Sequence, residues 1–225
     1  RELLTHLSHD LRTPLSSLHG FIEVINKPNS HLSEQEQQHY LNLAMDNCQQ
    51  LKQLIEQIFE LANLECGQVK INAETFNLGE LIYDCVAKLE LTARSAGIKL
   101  KVIPEICDFT VTADIAKLER VLTNLIENAI RHTPDGGVIS VSVSEQANEL
   151  FVAVSDTGVG IHADELTAIF EPHYQARNSI KRGSTGLGLA ICKQLLMLMN
   201  SKIEVQSTVG KGSEFRFNLT MQASA

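Results

Sequence analysis

The sequence predicts a chain in two parts. An antiparallel helical hairpin that pairs with a second copy as a four-helix bundle is followed by an α/β sandwich, sheet on one side and helices on the other. Three observations predict this. Apolar residues keep a heptad rhythm through the first part, the rhythm stops around Gly67, and beyond it amphipathic helical stretches alternate with strand-like runs.

Composition narrows what such a chain does. With 225 residues, 44% hydrophobic and 20% charged, it buries a real core and carries no long disordered tract. A net charge of −8, with no basic cluster interleaved with aromatics, argues against direct nucleic-acid binding. The cysteines Cys48, Cys66, Cys85, Cys107 and Cys192 are scattered and form no CxxC pair, which fits reduced thiols in a cytoplasmic compartment. No run reaches the roughly 18 apolar residues of a membrane span, and no signal peptide precedes the first helix. The chain opens at Arg1 already in a helical pattern. It therefore reads as the cytoplasmic portion of a longer protein, with any inner-membrane anchor in a missing N-terminal region.

The first helix places Leu4, Leu7, Leu11, Pro14, Leu18, Phe21 and Ile25 at alternating steps of three and four. The linker KPNSHLS, residues 27–33, ends in Ser33, and Glu36 three positions on completes a capping-box pattern. The second helix keeps the rhythm at Leu41, Ala44, Cys48, Leu51, Ile55, Ile58 and Ala62, and Leu54 and Leu61 widen the stripe. One hairpin cannot cover stripes that wide, so a homodimer is expected. The hairpin domain is bounded at 1–66 and the α/β domain at 67–225. In the latter, helices are expected near 78–96, 114–132 and 187–200. Strands are expected at IKLKVI, FTVTA, GVISVSVS, ELFVAVSD, KIEVQST and SEFRFNLT.

Within the first helix, LTHLSHDLRTPLSS sets His9 on the face opposite Leu4 and Leu7, with Thr13 one turn on. Pro14 cannot donate to the carbonyl of Asp10, so a kink is expected beneath the histidine. An exposed histidine is by itself a surface residue, and His6 with His9 makes an i, i+3 pair that lacks further metal ligands. The string SHDLRTPL changes this, because it resembles the H box of sensor histidine kinases. That resemblance implies that His9 accepts a phosphoryl group, that Asp10 orients or deprotonates its ring, and that Thr13 positions water for dephosphorylating a partner.

In ERVLTNLIENAIRHTPDGG, Leu118, Leu122, Leu125 and Ala129 form an apolar stripe, and Asn124, Asn128 and Arg131 share another face. Aligned amides can be satisfied surface residues, yet their oxygens also suit Mg²⁺. Asp156 ends a strand, with Gly158 and Gly160 after it. A carboxylate there can accept from an exocyclic amine while the glycines let a flat ligand approach. Gly183, Gly186 and Gly188 lead into an apolar helix whose N-terminal N–H groups can receive phosphates.

Together, NLIENAIRH, DTGVGI, IFEP and GSTGLGLAI resemble the N, G1, F and G2 boxes of the histidine-kinase ATP-binding domain, within the superfamily shared with gyrase and heat-shock chaperones. The resemblance implies ATP and Mg²⁺ as cofactors. It implies Asn128 as Mg²⁺ ligand with Asn124 beside it, Arg131 where a phosphate-contacting Lys is usual, and Asp156 as the adenine reader. By the same resemblance His132, Ile161, Tyr174, Arg177, Thr185 and Leu187 would complete the nucleotide site, and a lid would span about 172–186. His173 replaces a usual Phe, Gln175 a usual Arg for which Arg177 is placed to compensate, and Ser184 a usual Gly. The implied activity is autophosphorylation of His9 followed by transfer to an Asp of a separate response-regulator receiver domain, docked around Leu15 to Ile25. An ATPase of the same superfamily would carry a water-activating Glu where Asn124 stands. A scaffold that dimerises and merely binds ATP is the reading from another class.

Overall fold

The computed structural model describes residues 2–27, 32–105, 108–146, 149–177 and 185–220, with side chains from residue 11 onward. Gly183, Ser184 and Cys107 lie outside the described residues, as do the side chains of His9 and Asp10. The chain divides into two compact units, residues 1–62 and 63–225.

The first unit is the expected hairpin of α1 (Glu2–Asn26) and the body of α2 (Glu34–Glu65). Pro14 lies inside α1, which remains α-helical on both sides of it. The capping box forms. The Ser33 backbone N–H donates to Glu36 Oε2 at 2.9 Å, and the Glu36 N–H returns to Ser33 Oγ at 3.3 Å. The Ser33 N–H and the Ser33 hydroxyl, which also donates to Oε2 at 2.8 Å, hold the exposed Glu36 carboxyl below its usual range. Near the turn, Phe21 of α1 and Tyr40 of α2 bring their rings to 6.2 Å.

The wide stripe of α2 splits in two. Ala44, Leu54 and Leu61 are buried, with Leu51 and Ile58 half-buried between them. Leu41, Met45, Cys48, Ile55 and Phe59 stay exposed, Met45 at 70% and Phe59 at 66%. On α1, Leu15 and Ile22 are exposed one heptad apart.

In the second unit, five strands form a mixed sheet in the order β2-β4-β5-β7-β6. They are β2 (Lys99–Ile103), β4 (Val138–Gln146), β5 (Glu149–Asp156), β6 (Ile203–Thr208) and β7 (Gly212–Thr220). Among the described residues, only the β2–β4 pair is parallel. Helices α3 (Leu78–Ser95), α4 (Ile115–His132) and α5 (Gly188–Leu198) supply the other layer. Alternation along the strands buries Ile139, Val141, Leu150, Val152, Phe215 and Phe217, and Leu118, Leu122, Leu125 and Ile191 of the helices are buried with them. Asn77 caps α3 by accepting from the Glu80 N–H at 3.1 Å, and Asp114 caps α4 by accepting from the Lys117 N–H at 3.1 Å.

One expectation needs correction. FTVTA does form a strand, β3 (Thr110–Ala113), but it stands outside the main sheet. It pairs antiparallel with β1 (Glu74–Asn77), a strand the sequence reading did not anticipate. ETFN has no alternation strong enough to announce a strand, and the pairing across the ribbon supplies its backbone partners.

Candidate functional site

The site is built on the C-terminal half of α4. Asn124, Asn128 and Arg131 follow at i, i+4 and i+7, and Leu118, Leu122, Leu125 and Ala129 are buried as expected. Asn124 departs from the surface-residue alternative: it is only 7% exposed, and its Nδ2 has no hydrogen-bond partner among the described residues. A buried amide left unsatisfied costs about 1–3 kcal/mol, so a fold that keeps one there has a use for it. Asn128 and Arg131 are half-buried.

Three loops converge on this helix. The first follows β5, the sheet's central strand. Asp156, at its end, accepts at Oδ1 from the Gly158 N–H at 2.7 Å and the Ser213 N–H at 3.3 Å. Among the described residues no donor reaches Oδ2. Burial raises the Asp156 pKa, and the two N–H donors partly offset it. The Val159 N–H donates to the carbonyl of His132 at 3.2 Å, joining this loop to the end of α4. A side chain at Gly158 would collide with that carbonyl, and one at Gly160, whose φ is +70°, would strike the Thr208 carbonyl. His132 is pushed down to about 4, first by burial and then by the neighbouring Arg131 charge.

The second loop is the β6–β7 turn. Ser207 Oγ accepts from the Ile161 N–H at 2.8 Å and lies 2.9 Å from both the Gly212 carbonyl and Ser213 Oγ. It thereby ties the glycine loop after Asp156 to the hairpin behind it. Sequence reasoning missed Ser207 and Ser213. The GKG turn between their strands was the available signal, since it places residues on either side of it across from one another.

The third is the segment before α5. The His173 N–H donates to the Gly186 carbonyl at 3.0 Å, and both residues have left-handed backbones, φ +64° and +65°. A Cβ at Gly186 would sit 2.7 Å from His173 backbone, so close approach there requires glycine. Thr185 Oγ1 accepts from the Leu187 N–H at 3.3 Å, and Leu187 is fully buried at the start of α5. Gly188 opens that helix, and a Cβ on it would lie 4.0 Å from Asn124 Cγ. The N-terminus of α5 and the orphaned amide of α4 therefore face the same place. Tyr174 and Arg177 lie one step further out, where both bond to Glu165.

Two domain models match the chain. Residues 1–67 match the His Kinase A (phospho-acceptor) domain, and residues 113–223 match the histidine kinase-, DNA gyrase B-, and HSP90-like ATPase. The chain belongs to the histidine kinases. The sensor histidine kinase GacS of Pseudomonas protegens is 33% identical over 98% of this chain, which spans 24% of that protein. Histidine kinase ThkA, solved in complex with the response regulator protein TrrA, superposes with a TM-score of 0.79 at 25% identity, covering 98% of this chain and 61% of that one. Full-length ShkA in complex with AMPPNP superposes with a TM-score of 0.72 at 25% identity, covering all of this chain and 46% of that one. No described helix is long and apolar enough to cross a membrane.

The donor set fits a magnesium nucleotide. The amide oxygens of Asn128 and Asn124 are hard ligands, Asp156 Oδ2 is left to accept from an amine, and the start of α5 offers N–H groups to phosphate.

Proposed function

We propose that this histidine kinase binds Mg-ATP on its α/β unit and phosphorylates His9 of its hairpin, then passes the phosphoryl group to an Asp of a response-regulator receiver domain. The observation that carries the reading is the orphaned Asn124 amide facing the glycine-opened start of α5.

Asp156 accepts the adenine amine at Oδ2, and its two backbone donors hold the carboxylate in place for it. The neutral His132 imidazole and the Arg131 guanidinium close the end of α4, the latter toward phosphate. Asn128, with Asn124 beside it, would hold Mg²⁺, which supplies charge neutralisation of the phosphate oxygens when bound. The neutral His9 imidazole attacks the γ-phosphorus. A nitrogen–phosphorus bond forms, the bond to the β,γ-bridging oxygen breaks, ADP leaves with that electron pair, and Asp10 takes the ring proton.

The chain acts as a homodimer through the exposed half of the α2 stripe, and the regulator docks along Leu15 and Ile22. Thr13, exposed one turn beyond His9, orients water for removing phosphate from the regulator. The chain covers the cytoplasmic portion of its parent.

Labelling tests the reading. The whole chain, His9→Gln and Asn128→Ala are incubated with Mg²⁺ and γ-labelled ATP. Wild type acquires alkali-stable, acid-labile label, and neither variant does. Label that survives His9→Gln removes His9 from the reaction. Free phosphate without protein label makes the chain an ATPase, and nucleotide binding with neither leaves a scaffold. Thr13→Ala keeps the label and loses dephosphorylation of a phosphorylated receiver.

A further inference from the structure

Glu165 is the most deeply buried acid among the described residues, at 1% exposure, and no step of the proposed chemistry uses it. It lies in the turn after the glycine loop, with its backbone fixed at both ends. Its N–H donates to the His162 carbonyl at 2.9 Å, and its carbonyl accepts from the Ile169 N–H at 3.0 Å. The side chain collects donors from a segment nine to twelve residues on. Tyr174 OH donates to Oε1 at 2.9 Å and the Arg177 backbone N–H to the same atom at 3.1 Å. Arg177 Nε stands 3.8 Å from Oε1, and its outer nitrogen reaches Asp164 Oδ2 at 3.2 Å. Oε2 has no hydrogen-bond partner among the described residues. Burying a carboxylate is costly unless it is paired and hydrogen-bonded, so the whole attraction of this one is directed at Tyr174 and Arg177.

Those two residues continue the segment that begins at His173, which is bonded to Gly186 two residues before α5. We propose that Glu165 is a positioning residue for the phosphate end of the nucleotide site: it clasps Tyr174 and Arg177 so that these two residues, next to the His173–Gly186 contact, are held ready for a triphosphate. The proposal rests on the nucleotide reading above. Hydrogen bonding to Glu165, aided by burial and by its charge, also raises the Tyr174 pKa, which gives the clasp a spectroscopic signature.

The test titrates the whole chain with Mg-ATP and, separately, with adenosine. Glu165→Ala weakens Mg-ATP binding about tenfold and leaves adenosine binding unchanged, because only the phosphate end loses its support. Glu165→Gln keeps an Oε1 acceptor for both Tyr174 and Arg177 and restores most of the Mg-ATP affinity. Unchanged Mg-ATP binding in Glu165→Ala, equal losses for both ligands, or no recovery in Glu165→Gln each overturn the clasp. Should Glu165→Ala fail to fold, Tyr174→Phe deletes one bond from the accessible side. It weakens Mg-ATP binding about threefold and spares adenosine, and no change overturns the proposal. With no Trp in the chain, alkaline ultraviolet titration follows tyrosine directly, and one tyrosine that ionises above the ordinary range returns to it in Glu165→Ala. Failure of the underlying reading looks different: wild type itself then binds no Mg-ATP.

Discussion

At the scale of single residues, the proposed nucleotide site contains groups held away from their ordinary ionisation. His132 is the clearest case, lowered from 6.5 to about 4 by burial and by Arg131. In the unfolded chain it takes a proton near its ordinary pKa, whereas in the folded chain it resists until about 4. The neutral form's contribution is therefore complete above pH 6.5 and is lost as pH falls from 6.5 toward 4. A shift of this size is worth at most roughly 3 kcal/mol, less for the ring's residual exposure. Stability measured by urea titration should fall over that window in wild type and fall less steeply in His132→Gln. Equal slopes would mean that His132 titrates normally in the folded chain. The sequence marks His132 only as a position in a box, because its chemistry comes from packing. Glu165, Ser207 and Ser213 were less visible still. Ile161 and Ser207 lie 46 residues apart, Asp156 and Ser213 lie 57 apart, and no periodicity connects them.

At the scale of elements, heptad spacing located both hairpin helices and the capping box that starts the second, since these are local properties of the chain. Alternation found six of the seven strands among the described residues for the same reason. It missed β1 and the separate ribbon, because Glu74–Asn77 pairs with Thr110–Ala113 across more than thirty intervening residues. The width of the α2 stripe carried a further message. Ala44, Leu54 and Leu61 are buried by the chain itself, whereas Met45, Ile55 and Phe59 are left uncovered. Fully burying a side chain of this kind is worth about 1.5–3 kcal/mol, so a second copy has ample surface to bind. Met45→Glu with Phe59→Glu should convert a dimer to a monomer in sedimentation velocity. Ser33→Ala, which loses only the cap, should lower hairpin stability by about 1 kcal/mol and leave the dimer intact. A double variant that still sediments as a dimer would place the interface on another face.

At the scale of the whole molecule, the proposed reaction divides the work between a phosphoacceptor unit and a nucleotide unit, and each has its own buried side chains. Every group assigned to nucleotide lies between Asn124 and Gly188, within residues 63–225, while His9 lies in residues 1–62. Severing the chain between them should therefore separate binding from transfer. Residues 63–225 alone should bind Mg-ATP with an affinity within about twofold of the whole chain, because every residue proposed to hold it belongs to that unit. Mixed with the 1–62 hairpin at micromolar concentration, they should label His9 at least about a hundredfold more slowly than the intact chain. A covalent link holds its ends at an effective concentration in the millimolar range, and cutting it leaves only the bulk concentration. Raising both fragments together should recover the rate in proportion to the second component. Equal rates for cut and intact chains at micromolar concentration would show that the units bind one another tightly without the link. A tenfold loss of Mg-ATP affinity in residues 63–225 would show instead that the hairpin completes the nucleotide site, and the division of labour between the units would then have to be redrawn.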